Sequence, residues 1–320
     1  MEQSFCSLKH LLLLLLACLP LALPAQTIVE LKPGGKVRNK TVEDYRDELR
    51  LAEIERQDSL LYVDHLRRAF NALSTDSLEE AEQRFEAALK LRPAAPGNYI
   101  VHYNLALIDM AYGRWTPAIE RLSSVVRTHP TYHAARIARA EAELQGGRPS
   151  EAIGDASALL DPAGPSGIEA GVLRRARFVR GAAYYALHRY AEARTDLTAL
   201  LQQEPENENA RLLQALILEK TGQPKEALNQ LNLIVAAHPE SIDALQTRAT
   251  LLQQQAQPAL ARADYDRLVA LAPEEPAFYI ERARCLIQLE EHRAARLDLD
   301  KAVSLGASQG EVQALYRLTR

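Results

Sequence analysis

Seven alanines, Ala81, Ala118, Ala152, Ala193, Ala227, Ala261 and Ala295, stand 37, 34, 41, 34, 34 and 34 residues apart, and around each of them the chain repeats itself. Twelve residues earlier comes another very small side chain: Ala69, Ala106, Ala140, Gly181, Ala215, Ala249 or Ala283. Four residues later comes Phe85, Leu122, Ala156, Leu197, Leu231, Tyr265 or Leu299, and three beyond that Ala88, Val125, Leu159, Leu200, Ile234, Leu268 or Ala302. In five of the seven a proline closes the pattern: Pro93, Pro130, Pro205, Pro239 and Pro273. A period of this size marks a stack of one supersecondary unit, each copy burying its apolar face against its neighbours. A single globular core is thereby excluded.

Within a period the chain reads as two helices. Val172 to Leu187 carries Phe178, Gly181, Tyr184 and Tyr185 at helical spacing, His188-Arg189 turns, and Ala191 to Gln203 sets Ala193, Leu197, Leu200 and Leu201 on one face. Pro205 ends that run, because its ring cannot continue a helix and it biases the preceding residue away from the α region. Elsewhere Gly113, Gly146-Gly147 and Gly222 make the turn, and Pro117, Pro149, Pro224 and Pro258 open the second helix, where a missing N–H costs nothing. Two helices joined so tightly run antiparallel and close. Each therefore needs a small residue where they cross.

These spacings, with Gly113-Arg114-Trp115-Thr116-Pro117-Ala118, Arg189-Tyr190-Ala191-Glu192-Ala193 and the pair Gly181 and Tyr184, resemble the tetratricopeptide repeat over about residues 62 to 305. The resemblance implies an all-α, right-handed superhelical solenoid of seven antiparallel helix pairs over 62–307. Ala156, Gly164 and Ala307 depart from the pattern. The 41-residue interval is explained by Asp161-Pro162-Ala163-Gly164-Pro165-Ser166-Gly167, a longer loop at 161–171 that is either a plain loop or a hinge. A helical extension is expected over 41–61, opened by Thr41 with Asp44. A capping helix is expected over 308–320, opened by Ser308 with Glu311 and covering the last pair with Val312, Leu315 and Tyr316.

A second pattern lies outside that signature. Arg139 and Asp155, Arg180 and Asp196, Arg248 and Asp264, and Arg282 and Asp298 are each sixteen residues apart at equivalent places. Leu105 with Arg121 and Gln214 with Gln230 lack both members, and the first unit has Arg68 with Arg84. Since the aspartate never occurs without its arginine, we expect a structural ion pair between the two helices of four units.

Residues 1–25 read as a signal peptide: Lys9 and His10, an apolar run from Leu11, and Leu23-Pro24-Ala25, with cleavage after Ala25. Residues 26–40, with Lys32, Lys36, Arg38 and Lys40, read as a flexible tether. The expected location is the periplasm or cell envelope; membrane attachment is expected only if Cys18 is lipidated, and the apolar residues after Cys18 argue against that. Cys285 is then the single cysteine of the mature chain, which permits no internal disulfide.

Nothing in the sequence sets up a reaction: it lacks His-Glu-x-x-His, Gly-x-Ser-x-Gly, a P-loop and Gly-x-Gly-x-x-Gly. No metal site or cofactor is expected; His129 and His133 are split by Pro130. With a net charge of −4 the chain has no basic field for nucleic acid, and no small-molecule substrate is expected. The family resemblance implies partner binding on the concave side formed by first helices, where Phe70, Tyr103, Asn104, Leu107, Arg175, Phe178 and Tyr185 fall. The basic clamp that some members use for a peptide carboxylate has no match, since Leu66, Tyr103 and Ile137 stand there. The expectation is a scaffold for a protein or peptide. Its alternatives are a structural subunit of an envelope assembly docking by edge or ends, and an accessory partner of a separate enzyme.

Overall fold

The computed structural model describes residues 42–164 and 166–319; the segments read as signal peptide and tether lie outside them with Thr41, as do the side chains of residues 42–45 and of Glu311. Among the described residues the regular structure is fifteen α-helices and no strand. They form two compact units divided between Ala138 and Arg139. The first holds α1 (Val42–Ser74), α2 (Leu78–Leu91), α3 (Asn98–Ala111), α4 (Trp115–Thr128) and the start of α5 (His133–Gln145). The second holds the rest of α5, then α6 (Pro149–Leu160), α7 (Ala170–Ala186), α8 (Tyr190–Leu201), α9 (Glu208–Lys220), α10 (Pro224–Ala237), α11 (Ile242–Gln254), α12 (Pro258–Leu271), α13 (Pro276–Gln288), α14 (His292–Ser304) and α15 (Gln309–Leu318).

Consecutive helices pack as antiparallel pairs, and the small residues sit at their crossings. All seven alanines are 0% exposed, as are Ala69, Ala106, Ala140, Ala249 and Ala283. Gly181 shows the clearance: a Cβ there would lie 3.3 Å from Cγ of Leu197 on the partner helix and 3.5 Å from the carbonyl of Ala193. Where Ala156 replaces the large residue, the side chain is still fully buried.

Every turn within a pair is the same turn. Five residues before each alanine, Asp76, Gly113, Gly147, His188, Gly222, Ala256 and Glu290 have φ between 53° and 76°. The next amide donates back five residues, as in Arg114 N–H to the carbonyl of Asp109 (2.8 Å) and Gln257 N–H to that of Leu252 (2.9 Å). This is the left-handed helix stop that satisfies the last carbonyls, normally a glycine's role. Four units make it without glycine. Prolines then open α6, α10 and α12 at the first position, while Pro117, expected to open its helix, is third in α4.

The loop after α6 is shorter than the inserted sequence suggests, because α7 begins at Ala170 and runs 17 residues. At the other end α15 buries Val312 and Leu315 in the cluster of α13 and α14 that holds Ile280, Ala283, Leu286, Ala295 and Leu299.

Arginine and aspartate meet in all four units that carry both. Nε and Nη2 donate to the two carboxylate oxygens at 2.6 and 2.7 Å in Arg139–Asp155, 2.7 and 2.7 Å in Arg180–Asp196, 2.8 and 2.5 Å in Arg248–Asp264, and 2.8 and 2.7 Å in Arg282–Asp298. Such forked pairs are the strong form of the interaction. The third nitrogen reaches the preceding unit. Nη1 of Arg180 donates to Ser157 Oγ (3.3 Å), that of Arg248 to Asn232 Oδ1 (2.9 Å) and that of Arg282 to Asp266 Oδ1 (2.9 Å). Gln214 with Thr198 and Tyr316 with Asp300 add rungs at the equivalent place. The guanidiniums of Arg180, Arg248 and Arg282 therefore each clamp three helices.

The unit of α3 and α4 makes the link in reverse. Asp109 on α3 is 3% exposed, accepts from Nε of Arg121 (3.0 Å) and forms an ion pair with Arg114 (2.8 Å), while Arg121 and Arg114 also hold Glu86 (2.7 Å) and Glu82 (2.8 Å) on α2.

Candidate functional site

First helices were expected to present the binding residues, and in the first unit they turn them inward. Tyr103 is 7% exposed, its ring 5.2 Å from that of Tyr132 in an edge contact. Tyr132 also meets Tyr99 at 5.5 Å, and Tyr99 stacks on His129 at 4.0 Å. Asn104 is 5% exposed and spends its amide N–H on the carbonyl of Ile100 one turn back (2.8 Å). Phe70 sets its ring edge-on to Phe85 at 5.2 Å and packs with the core of α1 to α3. Leu107 is half-buried. The reading of Tyr103 and Asn104 as open groove residues is corrected on this point: each fills space between helices, and a side chain so covered has little surface left for a partner, while Phe70 stays half-buried.

The second unit leaves its first helices more open. Arg175 on α7 is exposed, but Nε and Nη2 grip both oxygens of Glu141 on α5 (2.8 and 2.6 Å), so it bridges first helices before it can meet a ligand. Phe178 and Tyr185 are half-buried and rest against the cluster of α8 and α9. Burial raises the Tyr185 hydroxyl above its usual range, with Lys220 lowering it and Glu219 raising it, so both charges of α9 act on this ring.

Between α9 and α11 lies a cleft of ≈ 210 Å³. Its floor is apolar: Ala215, Leu216, Leu231 and Leu251. Its walls are polar: Glu219 from α9, and Gln246, Thr247, Thr250 and Gln254 from α11. Gln246, Thr250 and Gln254 recur every four residues, so one stripe of α11 faces the opening, and all three are exposed. Thr247 has its hydroxyl committed to the carbonyl of Asp243 (2.7 Å). The Glu219 carboxylate is 20% exposed and has the ammonium of its neighbour Lys220 at 3.1 Å.

The residues expected to bind include none of the cleft's lining; Glu219 and Gln254 lie one turn beyond Leu216 and Thr250 on the same stripes, which was the available signal. Gln253, next to Gln254, turns inward, donating to Cys285 Sγ (3.3 Å) and accepting from the Tyr265 hydroxyl (3.1 Å). Among the described residues no helix is long and apolar enough to cross a membrane.

Two sequence models of one family, the tetratricopeptide repeat, match the chain: one at residues 184–251, the other at 103–168 and 247–311. The crystal structure of a tetratricopeptide repeat protein from Parabacteroides merdae is 25% identical and superposes with a TM-score of 0.64, over 81% of this chain and 99% of that one. A chain of the APC/C hetero-tetramer Cut9-Hcn1 superposes with a TM-score of 0.58 at 12% identity, over 87% of this chain and 59% of that one, a likeness of fold. No curated protein matches.

Proposed function

Because the chain belongs to the tetratricopeptide repeat family, a protein-interaction fold, we propose that it is an exported, non-enzymatic scaffold of the cell envelope. It holds an extended protein segment against the first-helix face of α7, α9 and α11. The observation that carries the binding face is the cleft between α9 and α11, flanked by the half-buried rings of Phe178 and Tyr185 on α7. Half-buried aromatics give contact area at low entropy cost, and the exposed amides of Gln246 and Gln254 can meet a peptide backbone. Export rests on the basic start, apolar run and Leu23-Pro24-Ala25 of residues 1–25. The absence of any catalytic motif in the sequence supports the non-enzymatic reading.

The test is capture from an envelope extract by the full chain, compared with a Tyr185→Ala, Thr250→Arg double variant. Loss of the captured protein from the variant supports the binding face. Unchanged capture assigns the partner to an edge or an end and removes this reading.

A further inference from the structure

The chemistry of the cleft, taken with the binding face proposed above, says what side chain it receives. The floor of Ala215, Leu216, Leu231 and Leu251 accepts methylene groups, while the only charged group in the wall is a carboxylate, Glu219. A site with an apolar floor and an acid at its side fits a long aliphatic stem that ends in a cation. It disfavours an acidic or phosphorylated segment, which would meet Glu219 and, one turn before Gln246 on the same helix, the exposed carboxylate of Asp243. A wholly apolar side chain would displace water from Glu219 and offer it no charge in return.

Two further observations agree. The resident Lys220 ammonium lies 3.1 Å from Glu219 and is 45% exposed, so the carboxylate already takes an ammonium in a weak pair of adjacent residues that a better-placed cation can displace. Tyr185, half-buried on α7, lies within electrostatic reach of both charges. The exposed amides of Gln246 and Gln254 lie on the opposite wall, where a peptide backbone passing over the opening offers N–H and C=O groups.

We infer that the cleft between α9 and α11 is the pocket for a lysine or arginine side chain of an extended peptide, with Glu219 as its anionic partner and Gln246 and Gln254 holding the backbone around it.

An array of random dodecapeptides, probed with the full chain and with Glu219→Gln, Glu219→Lys and Thr250→Arg variants, tests this. Both positions carry surface, and circular dichroism checks that each variant is folded. The peptides retained by the unaltered chain are expected to be enriched in Lys and Arg. Glu219→Gln should cut the advantage of a basic peptide over its norleucine counterpart by about tenfold. Glu219→Lys should turn the preference to Asp and Glu, and Thr250→Arg should abolish binding by blocking the opening. If Thr250→Arg abolishes binding but the retained peptides show no basic preference, or one that survives Glu219→Gln, the lysine–arginine pocket is wrong and the binding face stands. Binding indifferent to Thr250→Arg, or no peptide retained by any form, overturns both.

Discussion

Replacing Asp264 by alanine should be among the most damaging single changes available in the second unit. The carboxylate is 2% exposed and takes two hydrogen bonds from Arg248, at 2.8 and 2.5 Å. Arg248 itself is 18% exposed and keeps one other partner, Asn232 Oδ1 at 2.9 Å. Truncation therefore strands a guanidinium that water reaches only along one edge. Removing one member of a buried ion pair costs about 3–5 kcal/mol, and the partial access of Arg248 puts the expectation at about 3 kcal/mol. The isosteric double change Arg248→Met, Asp264→Leu removes both charges and should recover most of that loss, giving a coupling energy of about 2 kcal/mol in a double-mutant cycle. A like cycle on Arg284–Glu281, whose side chains are 44% and 37% exposed, should give under about 1 kcal/mol. Stacked repeats need not unfold in one step, so hydrogen exchange of the α11 and α12 amides should accompany urea unfolding followed by circular dichroism. An Asp264→Ala cost below about 1 kcal/mol, or a coupling energy no larger than that of Arg284–Glu281, would refute the reasoning that these pairs are buried clamps.

The remaining predictions concern protons and turns. Glu143 is 7% exposed, and burial, with the Asp155 carboxylate adding to it against Arg139, pushes its carboxyl up to about 7. A carboxyl raised in the fold stabilises the fold while protonated, so stability is full below about pH 4.5 and is lost as pH rises through about 7. Allowing for solvent screening, Glu143→Gln should remove about 2 kcal/mol of the difference in stability between pH 5 and pH 8, read from melting curves at both; an unchanged difference rejects the assignment. Ala256 and Glu290 sit at φ 53° and 61°, where an L-residue costs about 1–2 kcal/mol. Glycine at either should stabilise by about 0.5–1 kcal/mol after its own unfolded-state entropy, whereas Gly222→Ala should destabilise. Melting temperatures that move the other way would show that the turns are held by something else.

Much of this fold is legible because it is periodic. The alanine columns and the Arg–Asp spacing recur at fixed offsets, and one steric or electrostatic need explains every copy. What escaped is what breaks period. Tyr103 looked open by analogy with its equivalents, but Tyr132, which follows Pro130 by two residues, covers it; the matching turn positions hold Ala95, Asn207, Ser241 and Glu275, none of which could. The Asp109–Arg121 link exchanges the two charges between helices, so a search for arginine sixteen residues before aspartate passes over it. Arg175 was read as a ligand group because its partner Glu141 lies a whole repeat away. Glu219 and Gln254 gain their meaning from facing each other across two helices, a relation that spacing along one helix does not contain.

The backward reach of each arginine bears on how such a chain can change its length. Its two strong bonds close within its own unit, while Nη1 needs only an acceptor on whichever unit precedes it, and Ser157, Asn232 and Asp266 all serve. Excising residues 242–275 would set Arg282 against Asn232 in place of Asp266, and duplicating them would set a second Arg248 against Asp266. Neither event orphans one of these guanidiniums at the seam. Whole copies can thus be lost or gained as interchangeable parts, and the number of repeats is free to drift while each joint stays intact.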